Sequence, residues 1–114
     1  MPYLKIQSNR EISKEKTQQL LTLASQKLAK ELSKPESYVM VEMTTNTSML
    51  FAGTDAPAAY VELKSIGLPS ALLTSLSKSI GRLLNEQLGV EPNRVYIEFS
   101  DIKGSCWGWN ESTF

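Results

Sequence analysis

An internal repeat limits the folds that this chain can adopt. Residues 3–8 align with residues 60–65, and both segments alternate apolar and polar side chains as half-buried strands do. When the offset between the two halves is reduced by one residue, an apolar helical stripe and a second strand pattern also align with counterparts in the second half. The aligned positions are Leu20, Ala24, Leu28 and Leu32 with Leu76, Ile80, Leu84 and Leu88, and Val39, Val41 and Met43 with Val95, Ile97 and Phe99. The sequence therefore predicts two strand–helix–strand units, at about residues 2–57 and 58–114.

Recognisable signals bound the two predicted helices. Ser13 is a candidate N-cap for the first helix, whose apolar stripe runs to about Leu32. Pro35 disfavours helical backbone in the residue before it, so the first helix is predicted to end there. The second helix is predicted to begin near Pro69 and to stop at Gly89, which suits the left-handed conformation common after a helix end.

The strand pattern predicts an α+β fold. Strands are expected over residues 3–7, 38–44 and 59–65 and, after Pro92, over residues 95–99. Because crossover connections are almost always right-handed, the two strands of each unit should be parallel. Two units side by side then form a four-stranded mixed sheet with both helices on one face. A chain of 114 residues suits one domain of this kind, spanning residues 1–114.

The outward face of the predicted sheet is too polar to be a core. It collects Tyr3, Lys5, Gln7, Met40, Glu42, Tyr60, Glu62, Lys64, Tyr96 and Glu98. One interpretation is an ordinary solvent-facing sheet. The other is an assembly face, in which several subunits turn these sheets toward a common polar centre and cover their edge strands. The pattern alone leaves both interpretations open.

Composition excludes several classes of function. Twelve basic and twelve acidic residues give zero formal net charge, which argues against general nucleic-acid binding. The chain has no histidine and one cysteine, Cys106, so a metal or haem site is not expected and no internal disulfide can form. No leader pattern or membrane span is recognised. We expect a cytoplasmic protein, with export without a signal peptide left open.

The second residue, Pro2, is the unusual chemical group of the chain. If Met1 is removed, the Pro2 nitrogen becomes a free secondary amine, which can act as a base. Burial among apolar groups and a nearby cation both disfavour the protonated amine, so both would lower its pKa toward neutrality. Small second residues are common because they permit methionine removal, so Pro2 alone does not establish this role.

Several motifs together resemble one known family. They are Met1-Pro2, Lys34-Pro35 with Tyr38 close behind, residues 49–53 (MLFAG), Ser65-Ile66-Gly67, residues 94–97 (RVYI), and Gly108-Trp109-Asn110 followed by Ser112-Thr113-Phe114. In this order and spacing, over the whole chain, they resemble the macrophage migration inhibitory factor family of the tautomerase superfamily. The resemblance implies a homotrimer whose three sheets surround a central channel, with active sites at the subunit interfaces and no cofactor.

The resemblance also implies a reaction and a set of site residues. The family reaction is keto–enol tautomerisation of an aromatic α-keto acid such as phenylpyruvate, with the N-terminal proline as base. By resemblance, Lys34 pairs with the substrate carboxylate and the backbone N–H of Ile66, next to Ser65, contacts the substrate. The expected aromatic lining is Tyr38, Tyr96, Trp109 and Phe114, with Tyr96 supplied by a neighbouring subunit.

Departures from the family pattern bear on activity. Glu98 stands where animal relatives usually carry asparagine, and its charge could repel an anionic substrate or pair with Lys34. Trp107 replaces a smaller residue and could narrow the pocket mouth, and Tyr3 replaces methionine next to the base. Residues 57–60 replace the Cys-x-x-Cys pair of vertebrate members, so their thiol–disulfide activity is not expected here, and Cys106 is expected to be inert.

Two hypotheses of function therefore stand side by side. The first is an enzyme, a Pro2-dependent tautomerase of aromatic α-keto acids. The second is a cytokine-like interaction protein whose tautomerase pocket is a relic. An intact Pro2, Lys34 and aromatic set favours the enzyme, and nothing in the sequence indicates a receptor-binding surface. The physiological substrate is not specified by the sequence.

Overall fold

The protein is built on a mixed four-stranded sheet. In the computed structural model, which describes all residues from Met1 to Phe114, the strand order is β2-β1-β3-β4. The strands are β1 (Tyr3–Ser8), β2 (Met40–Thr44), β3 (Ala59–Ile66) and β4 (Val95–Ile102). β1 and β2 are parallel, β3 and β4 are parallel, and the two units meet through the antiparallel pair β1 and β3. The predicted duplicated sheet is confirmed.

Strict alternation along β1 and β3 places the core on one side of the sheet. Leu4 and Ile6 of β1 and Val61 and Leu63 of β3 are buried and pack in one cluster with the apolar stripes of both helices. Residues between them point to the opposite face and are half-buried. Because the side-chain period of a strand is two, this pattern fixes which face receives the helices.

Both helices have the ends that the sequence predicts. In α1 (Lys14–Glu31), the Ser13 side chain accepts a hydrogen bond from the Lys16 backbone N–H at 3.1 Å. A short 3-10 turn precedes α2 (Leu73–Leu88), and the chain then reverses at Gly89, whose φ of +70° is left-handed. These caps satisfy backbone groups that helix ends leave without intrahelical partners. Neither helix is long and apolar enough to cross a membrane.

The predicted start of the second strand is wrong by two residues. Tyr38 lies in a 3-10 turn, Glu36–Tyr38, and β2 begins only at Met40. The turn is closed by a hydrogen bond from the Val39 N–H to the Glu36 carbonyl oxygen at 3.0 Å. The alternation of Val39, Val41 and Met43 is real, but the turn after Pro35 takes Tyr38 out of the strand.

The end of the chain forms a small hairpin that periodicity did not predict. Strands β5 (Gly108–Trp109) and β6 (Ser112–Thr113) pair antiparallel. The two residues between them, Asn110 and Glu111, have φ of 52° and 64°, as a type I′ hairpin turn requires. The hairpin directs the aromatic residues of the tail toward the beginning of β1.

Candidate functional site

A cavity of about 350 Å³ opens beside the N-terminus. Three separate segments enclose it: the first residues of the chain, the turn before β2, and the C-terminal hairpin. Its lining is Met1, Pro2, Tyr3, Ser37, Tyr38, Val39, Met40, Trp107, Gly108, Trp109 and Phe114. The structure thus brings five of the predicted site residues, Pro2, Tyr38, Trp107, Trp109 and Phe114, to one place.

Pro2 is held firmly at the inner wall of this cavity. Its side chain is less than 2% exposed, and its carbonyl oxygen accepts a hydrogen bond from the Met40 N–H at 3.0 Å. That bond extends the pairing of β1 and β2 by one residue beyond the assigned strand. The position of the Pro2 ring is therefore fixed by the sheet rather than by a free chain end.

The electrostatic surroundings of the chain terminus disfavour positive charge. Burial, and secondarily the positive charge of Lys34, lower the pKa of the Met1 amine below its usual value of 8.0. Lys34 is half-buried just after α1, where its backbone N–H donates to the Ala29 carbonyl oxygen at 2.9 Å. The predicted cation thus lies near enough to the terminus to act on its charge.

Three aromatic rings form the outer wall. The Tyr38 ring meets Trp109 edge-on with 5.4 Å between centroids and Phe114 edge-on with 5.9 Å, and Trp109 and Phe114 stack at 5.6 Å. Gly104 makes room for this arrangement, because a Cβ there would lie only 3.1 Å from the Phe114 backbone oxygen. The arrangement offers an apolar, aromatic wall suited to an aromatic ligand.

Tyr96 and Glu98 do not line the Pro2 cavity of their own chain. Tyr96 packs on Phe51, with 4.6 Å between ring centroids, in a second cavity of about 460 Å³. Glu98 is exposed on the polar sheet face, where its carboxylate accepts a hydrogen bond from the Tyr60 hydroxyl at 3.0 Å. Within one chain, the predicted site residues therefore fall into two groups.

Ser65 and Ile66 are the last two residues of β3. Ser65 is 1% exposed, and its hydroxyl has no hydrogen-bond partner. Ile66 is half-buried. Neither side chain is part of the cavity lining, although the sheet register brings the end of β3 to the start of β1.

Matching tyrosine–glutamate hydrogen bonds lie on the polar sheet face. The Tyr3 hydroxyl donates to the Glu42 carboxylate, as the Tyr60 hydroxyl does to Glu98. The pKa of Tyr3 is raised to about 12, first by burial and then by its bond to Glu42. The pKa of Tyr60 is also raised to about 12, first by its bond to Glu98. Both phenols remain neutral donors over the physiological range of pH.

The role of one residue, Arg94, could not be recognised from the sequence. Arg94, which the sequence indicated only as part of residues 94–97, donates hydrogen bonds of 3.0–3.3 Å to four backbone carbonyl oxygens. The acceptors are Phe51, Thr54, Ala56 and Pro57. Its guanidinium also lies 5.1 Å from the centre of the Phe51 ring. It thereby fixes the loop that carries Phe51 against Tyr96. Its acceptors are all backbone atoms in a distant part of the sequence, so no side-chain pattern could reveal them.

Outside this cavity, the chain has few groups that could bind a metal or react. No three histidine, cysteine, aspartate or glutamate residues lie together as a metal site would require. The one cysteine, Cys106, is exposed and free. The Pro2 cavity is therefore the place where an unusual reactive group, an apolar lining and a nearby cation coincide.

Comparison with known proteins places this arrangement in context. A family model described as macrophage migration inhibitory factor (MIF) matches residues 1–114. A macrophage migration inhibitory factor homolog of Brugia malayi is 39% identical over 118 residues, covering 100% of this chain and 99% of that protein. One of Trichuris trichiura is 41% identical over 95 residues, covering 82% and 83%. The crystal structure of a homologue from Prochlorococcus marinus superposes with a TM-score of 0.94 at 37% identity, covering 98% of each chain.

Proposed function

The chain belongs to the macrophage migration inhibitory factor family, and we propose that it is a keto–enol tautomerase that uses Pro2 as its general base. The observation that carries the proposal is the setting of Pro2: buried, next to an aromatic cavity, at a terminus where burial and Lys34 lower the pKa of the amine. The titrating group in the structure is the Met1 amine, which stands in for the Pro2 amine that methionine removal would create.

Removal of Met1 would place the amine one residue deeper. The Pro2 nitrogen would then carry one hydrogen and a lone pair in the neutral form. The same two influences, burial and the charge of Lys34, would act on it and favour that neutral form. A base held neutral near working pH contributes about 10²–10⁴ to the rate of a proton transfer.

The substrate class follows from the cavity lining. Tyr38, Trp109 and Phe114 offer an apolar wall of aromatic rings for an aromatic substrate, and Lys34 offers a positive charge for a carboxylate. An aromatic α-keto acid of the phenylpyruvate type has both features. We propose that Ile66 contributes its backbone N–H and Trp107 narrows the cavity mouth.

The proposed step is a proton transfer with no cofactor. The neutral Pro2 amine takes a proton from the carbon next to the ketone carbonyl. The electron pair of that C–H bond forms a C=C double bond, and the π pair of the carbonyl moves to its oxygen. Solvent protonates this oxygen to give the enol, and the amine then releases its proton to solvent. The positive charge of Lys34 stabilises the anion that forms between these events.

We further propose that the working unit is a homotrimer with sites between subunits. Tyr96 and Glu98 lie apart from the Pro2 cavity within one chain, so they can join a site only through a neighbouring subunit. Large apolar side chains are exposed in that region, with Leu50 at 74% and Tyr96 at 66%. Burial of this surface against a second copy would favour assembly. Glu98 would bring to such a site a carboxylate that accepts a hydrogen bond from Tyr60.

Two measurements test the proposal. Intact mass must show loss of Met1, since a retained Met1 leaves Pro2 as an amide without basic character. Enol–keto conversion of phenylpyruvate is then compared between the wild type and Pro2→Gly. We expect kcat/KM to fall about 10²–10⁴-fold in the variant. Equal rates would instead favour the interaction-protein hypothesis.

A matched control comes from the second half of the chain. Ala59 occupies the position equivalent to Pro2, is buried like it, and has no free amine. Ala59→Gly should weaken the fold through the greater backbone freedom of glycine, while the folded fraction keeps its kcat/KM within a few-fold. A comparable loss of activity in Ala59→Gly would mean that backbone disturbance explains the effect at Pro2.

A further inference from the structure

The buried hydroxyl of Ser65 has no explained role in the fold. It is one of two buried side-chain polar atoms without a hydrogen-bond partner, the other being the Thr47 hydroxyl. Burial of an unpaired hydroxyl is unfavourable, and most such groups in folded proteins have a partner. A partner missing from this form of the chain, in which Met1 is present, would account for the hydroxyl.

The internal repeat identifies where such a partner would lie. In the register that aligns β1 with β3, Ser65 corresponds to Ser8, and Met1 to Ala58. Ser8 is fully buried, and its hydroxyl donates to the Ala58 carbonyl oxygen at 2.7 Å. The equivalent acceptor for Ser65 would be the Met1 carbonyl, but no such bond is formed. That carbonyl is attached directly to the Pro2 nitrogen.

The sheet register leads to the same neighbour. In the antiparallel pair of β1 and β3, Tyr3 faces Lys64 and Ser8 faces Ala59, so the next position outward sets Pro2 opposite Ser65. Both residues are buried on the helix side of the sheet. Residues opposite each other on one face of an antiparallel pair have Cβ atoms about 4.5–5.5 Å apart. The register therefore makes the Ser65 side chain and the Pro2 ring neighbours on one face of the sheet.

Building on the role of Pro2 as base, we propose that the Ser65 hydroxyl hydrogen-bonds the Pro2 amine after Met1 is removed. Ser65 is then a positioning residue that acts through Pro2, whereas the family resemblance grouped it with the substrate-binding residues. By accepting the N–H of the neutral amine on the buried side, the hydroxyl leaves the lone pair free to face the cavity. Methionine removal converts an unpaired hydroxyl into a paired one.

The bond also has consequences for the charged amine. A hydroxyl oxygen accepts more strongly from a protonated amine than from a neutral one, so it favours the protonated form. Loss of the hydroxyl should therefore lower the pKa of the Pro2 amine. The other titratable groups around this position are Lys34, Tyr3 and Tyr38, with Lys64 and Asp101 facing it from the neighbouring strands. None is altered in a Ser65 variant, so a change would report on the hydroxyl.

The experiment measures the titration of Pro2 directly. Protein labelled with ¹⁵N-proline, with loss of Met1 verified by mass, is titrated by NMR in the wild type, Ser65→Ala and Ser65→Thr. In Ser65→Ala we expect the midpoint to move to lower pH by about a factor of ten in proton concentration, as loss of one charge-assisted bond predicts. Ser65→Thr retains the hydroxyl and should restore most of the wild-type midpoint. The acid limb of kcat/KM for phenylpyruvate should move in the same way.

Each outcome is decisive. An unchanged Pro2 midpoint in Ser65→Ala overturns the proposal, and so does a raised KM with an unchanged pH profile, which would indicate contact with substrate. A moved midpoint in a protein without tautomerase activity keeps the hydrogen bond and overturns the proposed function. If Ser65→Ala does not fold, Ser65→Cys, which keeps a weak acceptor of similar size, should give a midpoint between those of the wild type and full loss. Ser8→Ala, the matched control, should leave the midpoint unchanged.

Discussion

The cavity beside Pro2 and the cavity beside Ala59 occupy equivalent ends of the two halves, yet only the first can offer a basic amine. The repeat relates residues 1–3 to residues 58–60, which line the second cavity. It also relates residues 50–52 to residues 107–109, so each cavity has a wall from the terminal segment of the other half. Ala59 lies within a continuous chain, where its nitrogen is an amide. The two cavities share one framework, but only the cavity at the N-terminus can contain a free amine.

The two ends also differ in the residue that supports each cavity. In the register that aligns the two helices, Tyr38 corresponds to Arg94. Tyr38 packs against Trp109 and Phe114 and leaves a cavity beside Pro2. Arg94 instead binds four backbone carbonyls and closes the 51–57 loop. The two halves therefore hold similar cavities, of which one is lined by three aromatic rings and the other is stabilised by the hydrogen bonds of Arg94.

The largest expected effect on stability comes from loss of the hydrogen bonds between Arg94 and the 51–57 loop. Arg94→Met removes the four guanidinium hydrogen bonds to the loop while keeping an apolar stem, and we expect a loss of about 3 kcal/mol in the free energy of unfolding. Urea unfolding measures it, with Arg82→Met, at an exposed arginine of α2, as the control that should change stability little. Equal effects at the two arginines would show that these hydrogen bonds contribute nothing special.

A smaller loss of stability is expected at Ser8, and none at its equivalent, Ser65. In protein prepared with Met1 retained, Ser8→Ala leaves the buried Ala58 carbonyl without its donor and should cost about 1–3 kcal/mol. Ser65→Ala removes a hydroxyl that has no partner and should be neutral within about 0.5 kcal/mol. Thermal or urea unfolding of both variants checks the difference. A loss at Ser65 as large as at Ser8 would contradict the unpaired state of its hydroxyl.

The smallest expected effect is on stability at alkaline pH, and it should be the same for Tyr3 and Tyr60. Tyr3 and Tyr60 each have a pKa raised from 10.0 to about 12, so the folded state holds the phenol proton more tightly than the unfolded state. The resulting stability is fully present below pH 10 and is lost as pH rises from about 10 to 12. Tyr3→Phe and Tyr60→Phe should each reduce that alkaline loss, measured by unfolding at a series of pH values. A steeper alkaline loss in either variant would reverse the assigned direction.

The fold was predictable because its determinants are local and repeated. Alternation in residues 3–8 and 60–65, the stripes of both helices and the caps at Ser13 and Gly89 predict the sheet and its helices without knowledge of long-range contacts. The start of β2 was misplaced because Tyr38 continues the alternation in sequence while a turn after Pro35 removes it in space.

The candidate site was predictable only in part. Resemblance predicted Pro2, Tyr38, Trp109 and Phe114 as site residues, and all four line one cavity, while their roles stay a prediction. The packing of Tyr96 on Phe51 and the missing partner of Ser65 depend on side-chain contacts between residues far apart in sequence. Periodicity reports which face a side chain occupies, and it does not report what that side chain touches across the sheet.

The central claim is that a free Pro2 amine is the catalytic base, and retention of Met1 tests it most directly. Two preparations of the same sequence, one processed normally and one made with methionine removal inhibited, differ only in whether Pro2 is an amine or an amide. Their kcat/KM for phenylpyruvate is measured at neutral pH after intact mass has confirmed each form. The account predicts that the preparation retaining Met1 is at least about 10²-fold less active. Equal activity of the two preparations would contradict it.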